Sequence, residues 1–72
     1  MQDEIIERIS AQIPNAQINV VLDGNRVVIE VTSDHFAGMG RVAQQQSVYS
    51  CIQDYIADGR LHAVTIKAEV PA

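Results

Sequence analysis

Only five of the 72 residues are basic (Arg8, Arg26, Arg41, Arg60 and Lys67) against nine acidic ones, so the chain carries a net charge of −4. Modules that grip nucleic acid by its phosphates need a basic face, so general DNA binding is not the first expectation. A single cysteine, Cys51, cannot close an intramolecular disulfide, and Met1-Gln2-Asp3-Glu4 offers no basic segment leading into an apolar one. A reduced, cytoplasmic setting is the expectation. No apolar run approaches the roughly 18 residues of a membrane span, and no lipidation signal is visible, so a soluble protein is expected. Also missing are a P-loop, a Cys-x-x-Cys pair and a His-Glu-x-x-His helix, so nothing in the chain announces catalysis.

What is present is a globular composition: 47% hydrophobic and 19% charged residues, with two prolines and no repeat or low-complexity tract. A chain this short buries only about 60% of its unfolded surface, which leaves room for a single domain over residues 1–72. It also leaves little room for a concave substrate site, which favours a binding function over an enzymatic one.

Ile5, Ile6, Ile9 and Ile13 recur at helical spacing behind Asp3, Glu4 and Glu7, and Pro14-Asn15 follows. The pattern predicts a helix over residues 3–12, with acid at the positive end of its dipole. Residues 16–32 are two β-branched runs around Asp23-Gly24, the pattern of a hairpin. Ile18, Val20 and Leu22 share one face of its first strand, and Val27, Ile29 and Val31 one face of its second. Ser33–Gly40 reads as a connector. Helical periodicity returns over residues 41–58, with Val42, Gln45, Tyr49, Ile52 and Ile56 in line, flanked by Val48, Cys51 and Tyr55, and with Gly59 as the stop. From Leu61 to Val70 the residues alternate as a half-buried strand, Leu61 falling with Ala63 and Thr65, His62 with Val64 and Ile66. The order α-β-β-α-β follows. Right-handed crossover makes the third strand parallel to the second, in a three-stranded mixed sheet with both helices on one face. Ile5, Ile9, Ile29, Tyr49, Ile52 and Ile66 are the expected core.

Few residues here invite chemistry. Gly38-Met39-Gly40 reads as a tight turn rather than a phosphate loop, and Cys51 as a buried apolar side chain rather than a reactive thiol. His35 follows the second strand and His62 opens the third. Parallel strands put these two on the order of 20 Å apart, too far to share a metal, with His62 beside the Asp23-Gly24-Asn25 turn.

Two stretches give a further lead: Phe36-Ala-Gly-Met-Gly-Arg-Val-Ala-Gln-Gln-Gln-Ser-Val-Tyr49, and Tyr55-Ile-Ala-Asp-Gly-Arg-Leu-His-Ala-Val-Thr-Ile-Lys-Ala68. Together they resemble the BolA family, most closely its short bacterial IbaG-type branch. The resemblance implies a class II KH-like α+β fold. It also implies a monothiol glutaredoxin partner, a [2Fe-2S] cluster shared with that partner and glutathione, and work in iron handling, cluster trafficking or the stress response. Some family members are described as transcriptional regulators.

The family's iron-ligating histidine corresponds to His62 in Leu61-His62-Ala63, and the docking surface would comprise Asp23, Gly24, Asn25, Arg26 and His62. Two departures stand out. Arg26 occupies the loop position where family members usually offer a second ligand, and a guanidinium has no lone pair to give, so a second ligand would come from Asp23, a weak candidate, from another nearby donor or from the partner. Family chains commonly continue past the last strand into a short helix, whereas this one stops at Pro71-Ala72. The leading expectation is a non-enzymatic glutaredoxin adaptor, a monomer or weak homodimer. The alternatives are a DNA-binding regulator using Arg41, Arg60 and Lys67, disfavoured by charge and by the lack of a Gly-x-x-Gly loop, and a metal-free interaction module.

Overall fold

A computed structural model describes all residues from Met1 to Ala72. The first helix, α1, spans Gln2–Gln12, and Ile5, Ile9 and Ile13 form the ridge it turns inward. Pro14 ends it by driving Ile13 into extended backbone (φ −118°, ψ 107°), and Asn15 turns the chain with φ 54°. Two strands follow, β1 (Gln17–Asp23) and β2 (Arg26–Thr32), antiparallel, with Asp23 opposite Arg26. The two-residue loop is therefore Gly24-Asn25, and Gly24, with φ 62°, takes the position where a side chain would be strained.

The connector after β2 is more ordered than a plain turn. Asp34–Phe36 form a 3-10 turn capped by Ser33, whose hydroxyl accepts from the His35 N–H at 3.1 Å and donates to the Pro14 carbonyl at 2.7 Å. This turn drives Phe36 fully into the core, a contribution the sequence pattern did not reveal. Gly38 takes φ 79°, and the Gln44 amide donates to the carbonyls of Phe36 and Met39, fixing the turn that leads into the next helix.

The expected helix over residues 41–58 is two helices, α2 (Arg41–Tyr49) and α3 (Gln53–Ala57). Between them the Cys51 and Ile52 N–H groups bond back three residues, to Val48 and Tyr49, and Ile52 leaves helical geometry at φ −123°, ψ 13°. The Ser47 and Ser50 hydroxyls bond the carbonyls of Ala43 and Ser47, a competition that bends helices at such sites. The bend rotates the apolar stripe. Val48, Cys51, Ile52 and Tyr55 are buried, whereas Tyr49, expected in the core, is 39% exposed and Val42 68%. Gly59, at φ 84°, follows α3 as the expected stop.

The last strand, β3, runs from Ala63 to Glu69 and is parallel to β2, giving the sheet order β1-β2-β3. Register lines up one face as three apolar rows: Leu22, Val27 and Val64; Val20, Ile29 and Ile66; Ile18, Val31 and Ala68. α1 packs on this face over β1 and α2 over β3, making two layers. The other face is open to solvent, with rows such as Asn19, Glu30 and Lys67. The fold is thus the expected α+β domain with a three-stranded mixed sheet. Of the expected core, Ile5, Ile9, Ile29 and Ile52 are fully buried and Ile66 half-buried at the β3 edge. The alternation of β3 does not reach back to Leu61 and His62: Leu61 is buried and His62 exposed, because the strand begins only at Ala63.

Candidate functional site at the hairpin end of the sheet

The parallel pairing of β2 and β3 decides where His62 stands. Arg26 opens β2 opposite Ala63, so the residue before Ala63 arrives beside the hairpin loop. There the Asn25 carbonyl accepts the His62 N–H at 2.9 Å and, at longer range, the Ala63 N–H at 3.4 Å. The imidazole is exposed, and a methyl added to Gly59 would lie 3.9 Å from its Nε2, so the ring sits over the glycine that ends α3. His35 is at the opposite end of β2, edge-on to Phe36 with ring centroids 5.9 Å apart.

The expected docking residues Asp23, Gly24, Asn25, Arg26 and His62 are therefore contiguous and all exposed. As iron donors they are unequal. Asp23 belongs to β1 and is separated from β3 by two strand spacings, about 10 Å, with Arg26 standing between. No group of three His, Cys, Asp or Glu side chains converges anywhere in the chain. The corner presents one imidazole to whatever approaches it. Cys51, the only thiol, lies on the helical layer, buried, with its Sγ donating to the Ser47 carbonyl at 3.3 Å, and burial pushes its pKa up.

The three cations considered for DNA do not form one patch. Arg41 and Lys67 line a shallow groove of about 250 Å³ between α2 and β3, together with Glu69. Arg60 is elsewhere, its Nε donating to Asp58 at 2.7 Å and its guanidinium carbon 4.2 Å from the centre of the Tyr55 ring.

Tyr55 anchors an assembly that the helical pattern alone did not reveal. Its ring is fully buried, and its hydroxyl donates to Glu4 of α1 at 2.6 Å. Arg8, also from α1, stacks on the ring at 4.3 Å and pairs with Asp54. The Tyr55 hydrogen bond holds the Glu4 carboxyl below its usual range and raises the phenol, and the Arg8 bond lowers Asp54. A sequence signal existed, since Glu4 and Arg8 share a face of α1 four residues apart, but their partner lies 51 residues from Glu4.

Comparison with known proteins bears on the fold and the family. The sequence profile of the family described as BolA-like protein matches residues 15–72. Acid stress protein IbaG of Escherichia coli K12 is 45% identical over 56 residues, spanning 78% of this chain and 67% of that one. An uncharacterized protein from the rpoN-murA intergenic region of Acinetobacter guillouiae is 33% identical over 66 residues, 92% of this chain and 80% of its own. Among solved structures, BolA1 from Arabidopsis thaliana superposes with a TM-score of 0.85 at 20% identity, covering 96% of this chain and 89% of that one. The BolA domain of SufE1 from the same plant gives the same TM-score and coverage at 23% identity. Sequence and fold together place this chain in the BolA-like family.

Proposed function

We propose that the chain is a non-enzymatic adaptor that docks a monothiol glutaredoxin at the hairpin end of its sheet, in iron-sulfur cluster trafficking or iron homeostasis. The observation that carries the reading is the exposed His62, whose backbone N–H is bonded to the Asn25 carbonyl of the hairpin loop so that the residue stands beside the Asp23–Arg26 turn. A docking protein needs an accessible donor on a rigid support, and a two-residue hairpin loop bonded to the start of a parallel strand is such a support. The relative named acid stress protein supports a place in the stress response.

The residues present fit one ligand of a shared [2Fe-2S] cluster rather than a resident one. Neutral imidazole is a competent iron donor, Arg26 is not, and no group of three donor side chains forms around His62. When bound, the cluster would supply a transferable iron-sulfur unit whose potential is raised by histidine in place of thiolate. The chain's own contribution is to orient one imidazole and offer a polar turn for the partner to rest on.

The test is anaerobic mixing with a monothiol glutaredoxin, glutathione, iron and sulfide, followed by visible absorption and circular dichroism. His62→Ala is expected to abolish the mixed-cluster spectrum and leave folding intact, because the side chain is exposed. Arg26→His is expected to increase cluster retention by adding a donor one residue-pair away. An unchanged spectrum in His62→Ala overturns the ligand assignment, and no complex of either kind with glutaredoxin overturns the adaptor reading.

A further inference from the structure

The five residues from Asp58 to His62 carry the chain from α3 to β3, and none of their N–H groups is left free. Asp58 and Gly59 bond back to the carbonyls of Asp54 and Ile56, and the Arg60 N–H bonds the Asp58 carboxylate. Leu61 bonds the Tyr55 carbonyl at 3.1 Å and His62 the Asn25 carbonyl at 2.9 Å. Such completeness is unexpected in a surface connector that includes a glycine at φ 84°, the kind of residue that ordinarily lets a loop swing.

The side chains show what holds the loop. The Arg60 guanidinium bonds Asp58 through Nε and lies over Tyr55, and the Arg8 guanidinium lies over the same ring. Two guanidiniums, their carbons 4.2 and 4.3 Å from one centroid, thus engage the same ring at once. The ring's own orientation is set by its hydroxyl on Glu4 and by the pairing of Arg8 with Asp54. A chain of contacts thus runs from α1 through Tyr55 to Arg60, two residues before His62. Packing alone would need only the ring; the stacked, doubly bonded Arg60 adds a hold on the loop that the core does not require.

We infer that Arg60, stacked on Tyr55 and bonded to Asp58, is a positioning residue for His62, fixing the loop so that the imidazole meets a partner in one orientation. The inference rests on the reading of His62 as the partner-facing donor. Its test has two separate parts. In the free chain, Arg60→Met keeps the aliphatic stem and removes the stacked cation and the side-chain bond to Asp58, leaving the backbone N–H bond in place. Amide exchange of His62 is expected to accelerate about tenfold while that of Ile29 in β2 is unchanged, because only a local opening is made easier. Arg60→Lys, which restores a cation over the ring without the planar fork, is expected to recover part of the protection. The imidazole proton signals should broaden or shift in Arg60→Met and move back toward wild type in Arg60→Lys. In the second part, glutaredoxin affinity of Arg60→Met is expected to fall several-fold.

If His62 exchange and ring signals are unchanged in Arg60→Met, the positioning role is wrong. If His62 and Ile29 lose protection equally, Arg60 merely stabilises the fold and the role is again wrong. If His62 loosens as expected but glutaredoxin binds as before, the positioning role stands and the docking role of His62 fails.

Discussion

Cys51 shows how little a residue's type says without its surroundings. The residue is 9% exposed, and its thiol donates to the Ser47 carbonyl and is held in the protonated form by burial. Thiol reagents attack the thiolate, so native labelling at neutral pH is expected to be far slower than labelling in denaturant. Stoichiometric reaction of the native chain within the time needed for the unfolded one contradicts this. The same dependence separates the tyrosines. Both fall on the apolar stripe of an uninterrupted helix, yet Tyr49 is 39% exposed and Tyr55 fully buried. No count of 3.6-residue turns reveals that difference, because it comes from the bend at Ser50–Ile52. The isoleucines were legible because nothing interrupts the elements that carry them: Ile5 and Ile9 lie one turn apart on α1, and Ile29 is the central inward residue of the middle strand.

At the scale of elements, α1 and α3 are tied together by charge as well as by packing. Glu4 accepts from Tyr55 and Asp54 from Arg8, and both carboxyls are held below their ordinary values of 4.5 and 3.8. The unfolded chain takes up these protons first, so the contribution is complete above about pH 4.5 and is lost as pH falls through the lowered folded values. Tyr55 and Cys51 are shifted the other way, above 10.0 and 9.0. Folding favours their protonated forms, so that stability is present below about pH 9 and is lost as pH rises through the raised values. Urea midpoints are expected to form a plateau between these limits and to fall on both sides. Glu4→Gln should flatten the acid limb, and salt should shrink the tie because the carboxylates and guanidiniums are exposed. Identical acid limbs in wild type and Glu4→Gln contradict the assignment. Hairpin, parallel third strand and first helix were all legible from turn residues and periodicity. The interhelical tie was not, since it joins residues 46 and 51 positions apart, and neither was the 3-10 turn that buries Phe36.

As a whole molecule the protein has one layer of helices over one face of a small sheet, so few residues carry its cohesion. A chain of this length has a stability of about 4–11 kcal/mol, and removing most of a fully buried isoleucine costs about 2–5 kcal/mol. Ile29→Ala, in the middle row of the middle strand, is expected to lower the urea midpoint by about a fifth or more and to leave a measurable unfolded population at 37 °C. A shift no larger than that of an exposed substitution such as Thr65→Ala contradicts the core assignment. The candidate site was half legible: the resemblance and the parallel topology located His62, whereas the stacking of Arg60 on Tyr55 depends on how α3 packs against α1, which no local pattern encodes. One consequence follows from the long crossover between β2 and β3. The hairpin closes over a two-residue loop, but β3 joins only after ~30 residues of connector and helix have been brought round, a much larger loss of chain freedom. The corner that joins His62 to Asn25 lies on that non-local seam, so it is made by residues that only the closed crossover brings together. The surface shared by the hairpin loop and His62 therefore exists only in a chain whose third strand has joined.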